Sequence, residues 1–376
     1  MSLIMRSLIC FIFTGISIAS MADTLTHQLQ SKLANHMLNF EVTLPSGYDP
    51  QQPNRYPVLY TGSGDRRLNL LRQQVDWLSH VNFAPLPPVI LVTLPVIEPQ
   101  GTMDKNAMAA GANLELSIQV IATELIPFID NTYKTQPYRI AEAFSSNANQ
   151  LLSIFVERPE TFNAYIVHSP ALALDRTNII DKLTQTKPSA EHVYRFLYVS
   201  LGSFPENKKP FDRLAYGLET WREHNIEGLE MMTNDLSRHN YLSGPIVGLV
   251  SAFEEMFKDR QPAPADFALS GIAGIQQHFE KVSKKYGYTM DADTVILDLA
   301  FYYAEQQLAE KAVMTAQYLL NQQPKSLFLL TRLADIEKRV GKIEEAKSTL
   351  EKALVLAQDA GDQEPITYIK ARLAEL

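Results

Sequence analysis

Cysteine is almost missing from this 376-residue chain: Cys10 is the only one, and it falls inside an N-terminal apolar segment. Disulfide staples and cysteine-based metal sites are therefore excluded for everything after that segment. Basic charge is also in short supply, with 34 Lys and Arg against 42 Asp and Glu, a net charge of −8. An acidic balance argues against nucleic acid or an anionic membrane surface as the main partner. After the first twenty residues no apolar run is long enough to span a bilayer. Neither zinc-ligand spacing nor a phosphate-cradling glycine loop is present, so no metal or organic cofactor is implied. What remains, with 46% hydrophobic and 20% charged residues, is an ordinary globular composition, long enough for one large domain and a smaller one.

The N-terminus has its own character. Arg6 precedes an apolar run from Ser7 to Ile18, and Ser20 and Ala22 put small residues three and one before a cut after Ala22. This is the pattern of a cleaved secretory signal over residues 1–22, with a run short for a membrane anchor. The expectation is export, to the periplasm where the host has an outer membrane and to the medium otherwise. Cleavage would remove Arg6 and Cys10 together, leaving a chain of net charge −9 without cysteine.

The chain is organised around Tyr138 to Pro170. Arg139 to Phe144 is a short apolar run interrupted by Glu142, which suits a buried parallel strand. From Asn147 the apolar positions Leu151, Leu152, Phe155 and Val156 fall three and four apart until Pro159, which predicts a helix. Ser145 stands on the turn between them. A serine there commonly caps the helix; on a sharp turn it is instead thrown clear of the backbone, with the helix's first free N–H groups beside it.

The stretch PYRIAEAFSSNA, followed by RPETF and IVHSP, resembles the esterase branch of the α/β-hydrolases that includes enterochelin-type and esterase-D-type enzymes. Their pattern is PYR-I-x-x-G-H-S-x-G-G, then an apolar helix, a (H/R)P-x-x-F turn and a strand ending in SP. The resemblance implies an α/β-hydrolase fold, with a mostly parallel central sheet flanked by helices, and places Ser145 on the nucleophile. Five positions stand out against the pattern: Ala143, Asn147 and Ala148 replace glycines, Phe144 replaces the histidine before the serine, and Glu142 lies in the strand. Asn147 is expected to crowd the turn, and Glu142 to require a partner or a proton.

Around this centre, 24–36 reads as an amphipathic or mobile lead-in, and strands are expected at 38–44, 56–60, 88–94, 195–201 and 229–233. Helices are expected at 68–79, 114–133 and 211–224, and an aperiodic surface loop at 96–111. The stretch Thr61-Gly62-Ser63-Gly64-Asp65 resembles the family's oxyanion loop, which implies that backbone N–H groups of Asp65 and Ser146 hold the oxyanion. RHNYLSGPIVGL resembles the family's H-x-S-x-P…GL ending, with His239 as the implied base. The acid is Glu206 on this reading, with Asp212 and Asp235 as alternatives. The implied activity is hydrolysis of a small carboxylic ester by an exported serine esterase; a siderophore ester, a feruloyl or acetyl sugar ester and a simple acyl ester all fit. The competing reading is a hydrolase fold that has lost efficient catalysis and serves as a binding or assembly module.

A hydrolase domain over 23–260 is expected to give way, after a proline-bearing linker, to an all-helical tail over 261–376. Ala312 and Ala346 lie 34 residues apart in matching helix-turn-helix patterns, which resemble tetratricopeptide repeats. A plain antiparallel bundle and a groove for a protein partner are both compatible with that pattern.

Overall fold

The computed structural model describes residues 23–62, 65–81, 84–97, 114–174, 178–361 and 363–376. The expected signal segment, Ser63 and Gly64 of the expected oxyanion loop, and most of the loop expected at 96–111 lie outside the described residues. The chain divides into two compact units, Met1–Glu254 and Glu255–Leu376.

Eight strands form one sheet: β1 (Thr24–Gln30), β2 (Met37–Thr43), β3 (Tyr56–Thr61), β4 (Ile90–Thr93), β5 (Thr135–Phe144), β6 (Ala164–His168), β7 (Phe196–Ser203) and β8 (Glu230–Asn240). Their spatial order is β1-β2-β4-β3-β5-β6-β7-β8. Only the first two pairings are antiparallel; from β4 to β8 every neighbour is parallel. The order turns back on itself around β3, and in such sheets ligands bind beyond the carboxyl ends of the strands.

Between the strands run α1 (Asp65–Ser79), α2 (Leu114–Val120), α3 (Ile126–Thr132), α4 (Ser146–Glu157), α5 (Ile179–Gln185), α6 (Pro205–Arg222) and α7 (Gly244–Met256). A π-helical turn, Ile121–Leu125, joins α2 to α3 where one continuous helix was expected. Alternation along the strands sorts their side chains onto two faces. Ala141, Ala143, Tyr165, Val167, Leu197 and Val199 share a core with Ile129 of α3, Leu152 and Phe155 of α4, Leu183 of α5 and Trp221 of α6. Glu142, His168 and Ser200 point to the opposite face, toward α1 and α7.

Three sequence expectations change. Residues 24–30 are not an amphipathic lead-in but an edge strand, paired from Thr24↔Thr43 to Gln30↔Met37. The last strand does not stop at Thr233: β8 continues through His239. Glu206 does not sit in a loop, because Pro205 opens α6 and Glu206 lies in its first turn. Proline is well suited to a first helical position, where its missing N–H costs nothing.

The second unit contains α8 (Gly271–Tyr286), α9 (Asp293–Glu305), α10 (Ala309–Gln322), α11 (Leu327–Arg339), α12 (Ile343–Ala360) and α13 (Gln363–Ala374). From α8 on, each helix packs on the next. Ala312 and Ala346 are both fully buried in its own core, beside Leu299, Leu333 and Leu350. Among the described residues no helix is long and apolar enough to cross a membrane.

Candidate active site

Ser145 joins β5 to α4 with φ 63° and ψ −126°, a conformation that a residue with a side chain rarely adopts. The backbone is pinned on both sides: Ser145 N–H donates to the His168 carbonyl (3.1 Å), and the Ala148 and Ala171 N–H groups donate to the Ser145 carbonyl. The side chain makes no capping bond to α4. It is therefore not the ordinary helix-capping serine, and its hydroxyl is directed elsewhere. Ser146 is the first residue of α4, so its N–H belongs to the turn that no helical carbonyl reaches.

The serine's described partner is Tyr241, whose hydroxyl donates to Ser145 Oγ at 2.8 Å. Tyr241 follows β8 directly and is gripped between two rings, Phe144 at 4.8 Å and Phe204 at 4.9 Å between centroids. Its backbone passes close over the end of β7: a β-carbon on Gly202 would stand 3.2 Å from both the Tyr241 Cα and the Asn240 carbonyl. Gly244, at the start of α7, approaches Gly202 in the same way. Two glycines thus allow the β8–α7 connection to lie flat on β7 and deliver Tyr241 to the serine.

His239 is exposed and does not share in that bond. Leu236 pairs with Gly202 and Asn240 with Ser203, so Ser237, Arg238 and His239 bulge out of the ladder. Glu206 is exposed on α6. The other two acids converge on one cation, Lys208, which contacts Asp212 and, at 3.4 Å, Asp235. Bonds from Ser237, with Lys208 adding to them, hold the Asp235 carboxyl below its usual range. The structure thus brings Ser145 and Ser146 together with Tyr241 at the carboxyl ends of the strands, while His239, Glu206, Asp212 and Asp235 are not joined to Ser145. Tyr241 was legible: in YLSGP it holds the first place of H-x-S-x-P, with Ser243 and Pro245 in step. A tyrosine in the histidine's place, with His239 two residues earlier, hides that alignment.

The two departures near the serine prove to be structural ties. Asn147 does not crowd the turn; it is exposed, and its Nδ2 donates to the Gly62 carbonyl at 2.7 Å, fastening the serine turn to the loop after β3. Asp65 opens α1 beyond that loop. Glu142 is fully buried and accepts two bonds from Arg67 of α1, at 2.5 and 2.9 Å, and one from Thr61 at 2.8 Å. Burial pushes its carboxyl up, but the Arg67 charge and these bonds outweigh burial and hold it below the ordinary range. His168, also fully buried, meets Ser200 Oγ through Nδ1 at 3.0 Å. Burial pushes its pKa down to about 3, so the ring is neutral and its 3.7 Å approach to Glu142 is not an ion pair.

A mostly parallel sheet with helices on both faces and a strained serine at the strand–helix turn defines an α/β-hydrolase scaffold. A family model described as Putative esterase matches residues 31–223, and the chain belongs to that family of esterase-type hydrolases. Among solved structures it is similar to an IroE-like serine hydrolase from Shewanella oneidensis, at 17% identity and a TM-score of 0.59, over 78% of this chain and 98% of that one. An uncharacterised protein from Capnocytophaga ochracea DSM 7271 matches at 16% identity and a TM-score of 0.61, over 93% of this chain and 100% of that one. At these identities the likeness speaks for the fold. No curated protein matches the sequence significantly.

Proposed function

We propose that the protein is an exported serine hydrolase that cleaves a small carboxylic ester with Ser145 as its nucleophile. The observation that carries this reading is the backbone of Ser145: a left-handed, strained residue whose hydroxyl is kept off the helix cap. Strain of this kind costs on the order of 1–3 kcal/mol and persists where the surrounding structure enforces it. Attack on the ester carbonyl would place the developing oxyanion at the Ser146 N–H, with the Asp65 N–H across the β3–α1 loop as the second donor. The family resemblance assigns the proton to His239, with Glu206, Asp212 or Asp235 as the acid. That version requires the bulged end of β8 to turn His239 toward the serine.

Fluorophosphonate labelling of the purified protein tests the nucleophile. Labelling that disappears in Ser145→Ala supports the reading; a folded protein that resists labelling between pH 6 and 10 sinks it. Sequencing the N-terminus of protein recovered from the cell envelope or the medium tests export, with Asp23 expected first.

A second reading is favoured by one observation, the Tyr241–Ser145 bond. In that bond the phenol is the donor and Ser145 Oγ the acceptor, so the bond does not draw the proton from the serine. On this reading the fold binds an ester-like ligand or, through its helical unit, a protein partner, without rapid turnover. Ligand-dependent stabilisation of unlabelled protein would favour it.

A further inference from the structure

In a serine hydrolase the base must lie within hydrogen-bond reach of the nucleophile, and in this fold it follows the last strand of the sheet. One described side chain meets both conditions. Tyr241 is the residue immediately after β8, and its hydroxyl is 2.8 Å from Ser145 Oγ. The rings of Phe144 and Phe204 fix its orientation, and Gly202 and Gly244 fix its height above β7.

We propose that Tyr241 is the catalytic residue that exchanges the proton of Ser145, acting as phenolate in the attack and as phenol in the departure. The inference rests on Ser145 being the nucleophile and replaces the base that the family resemblance assigns. In the acylation step the phenolate takes the Ser145 hydroxyl proton as the Oγ–C bond forms and the carbonyl π pair moves to the oxygen. Collapse of the tetrahedral adduct breaks the bond to the leaving alcohol, whose alkoxide takes the proton back from Tyr241. Water then repeats the sequence on the acyl-enzyme: phenolate removes its proton, the acid is released, and Ser145 recovers a proton from Tyr241. No group beyond ester and water is consumed.

Apolar rings line Tyr241 on two sides. Beneath Phe144 lie Glu142 and the neutral His168, and the Arg67 guanidinium sits 5.8 Å from the Phe144 ring but is committed to Glu142. Glu206 and Lys208 stand at the start of α6, Lys208 with Asp212 and Asp235, while Arg238 and His239 lie on the outer bulge of β8. Among the described residues no cation pairs with the phenol oxygen. A base that must act as phenolate gives an activity that rises through the neutral range, and favours esters with good leaving groups.

The test is the pH dependence of Ser145 acylation in the full chain, followed with p-nitrophenyl acetate and with fluorophosphonate labelling. The wild type should accelerate about tenfold per pH unit from pH 6 toward 9, without an inflection near the ordinary imidazole value of about 6.5. Tyr241→Phe should lose at least tenfold at pH 9 while melting as a folded protein. Tyr241→His should introduce an inflection near 6.5 and react faster than wild type at pH 7. A wild-type inflection near 6.5 that vanishes in His239→Ala overturns the role of Tyr241 and leaves Ser145 standing. So does a Tyr241→Phe profile that matches wild type. Labelling that is equal in wild type and Ser145→Ala defeats the nucleophile itself.

Discussion

Glu142 and Arg67 form a two-pronged ion pair three residues before Ser145, with the carboxylate fully buried and the guanidinium side chain 19% exposed. The pair fastens the first turn of α1 to the strand that carries the nucleophile. Removing one partner strands a buried charge, which typically costs about 3–5 kcal/mol, whereas an apolar pair of similar volume is often tolerated. Arg67→Ala should therefore destabilise by that amount in urea unfolding, and Arg67→Met with Glu142→Leu should lie much closer to wild type. A double variant as unstable as the sum of the singles would show that the pair is not acting as a unit.

Acid should weaken the fold earlier than a carboxylate alone explains. His168 is neutral in the folded protein because burial carries its pKa from 6.5 to about 3, and burial lowers His192 as well. Between about 3 and 6.5 the unfolded chain binds a proton at His168 that the folded one does not. Stability present above pH 6.5 is then lost as pH falls, by up to about 1.4 kcal/mol per pH unit for one such histidine. Glu142 acts with the same sign only below its ordinary value of 4.5. Unfolding free energies at pH 7, 6 and 5 should show the slope, and His168→Asn should reduce it.

Gly248 of α7 leaves no room for a side chain. A β-carbon there would lie 2.9 Å from both His168 Nδ1 and Ser200 Oγ. Gly248→Ala should cost about 1–3 kcal/mol, as overpacking does, despite the better helix propensity of alanine. A melting temperature equal to or above wild type would show that α7 can shift away freely.

The Asn147 tie to Gly62 is a positioning contact. Asn147→Ala should leave stability within about 0.5 kcal/mol, as for exposed sites, yet lower kcat by about tenfold through loss of the oxyanion loop's register. A change confined to KM would place the effect on binding instead.

Relieving the serine should make a better-folded, inactive protein. At φ 63° glycine is free of the strain that Ser145 bears. Ser145→Gly should raise unfolding free energy by about 1 kcal/mol while abolishing labelling.

The centre of this fold was readable because its signals are strong and local. The apolar run before Ser145 and the three-and-four spacing of Leu151, Leu152, Phe155 and Val156 have one reading each. The edges were not. In β1, Leu25 and Leu29 stand four apart among polar residues, a spacing that fits a helix as well as a half-exposed strand; pairing with β2 decides. The second half of β8 is polar from Ser237 to Asn240: three residues bulge out of the ladder and Asn240 rejoins it opposite Ser203, a pairing that leaves no periodicity in the sequence. The partner of Glu142 lay 75 residues away on another element, beyond any local pattern.

An open sheet has two outer strands, and each is a potential template for a second molecule. Here they are β1 and β8, at the two ends of the strand order. β1 carries Thr24, Thr26, His27, Gln28 and Gln30; β8 carries Glu230, Asp235 and Arg238 and is bent by its three-residue bulge. Polar and charged side chains together with a broken ladder are what discourage strand-to-strand addition between copies. The bulge that carries His239 outward thus also guards the β8 edge, so straightening it by deleting residues 237–239 should promote self-association between copies, read as a larger species by light scattering.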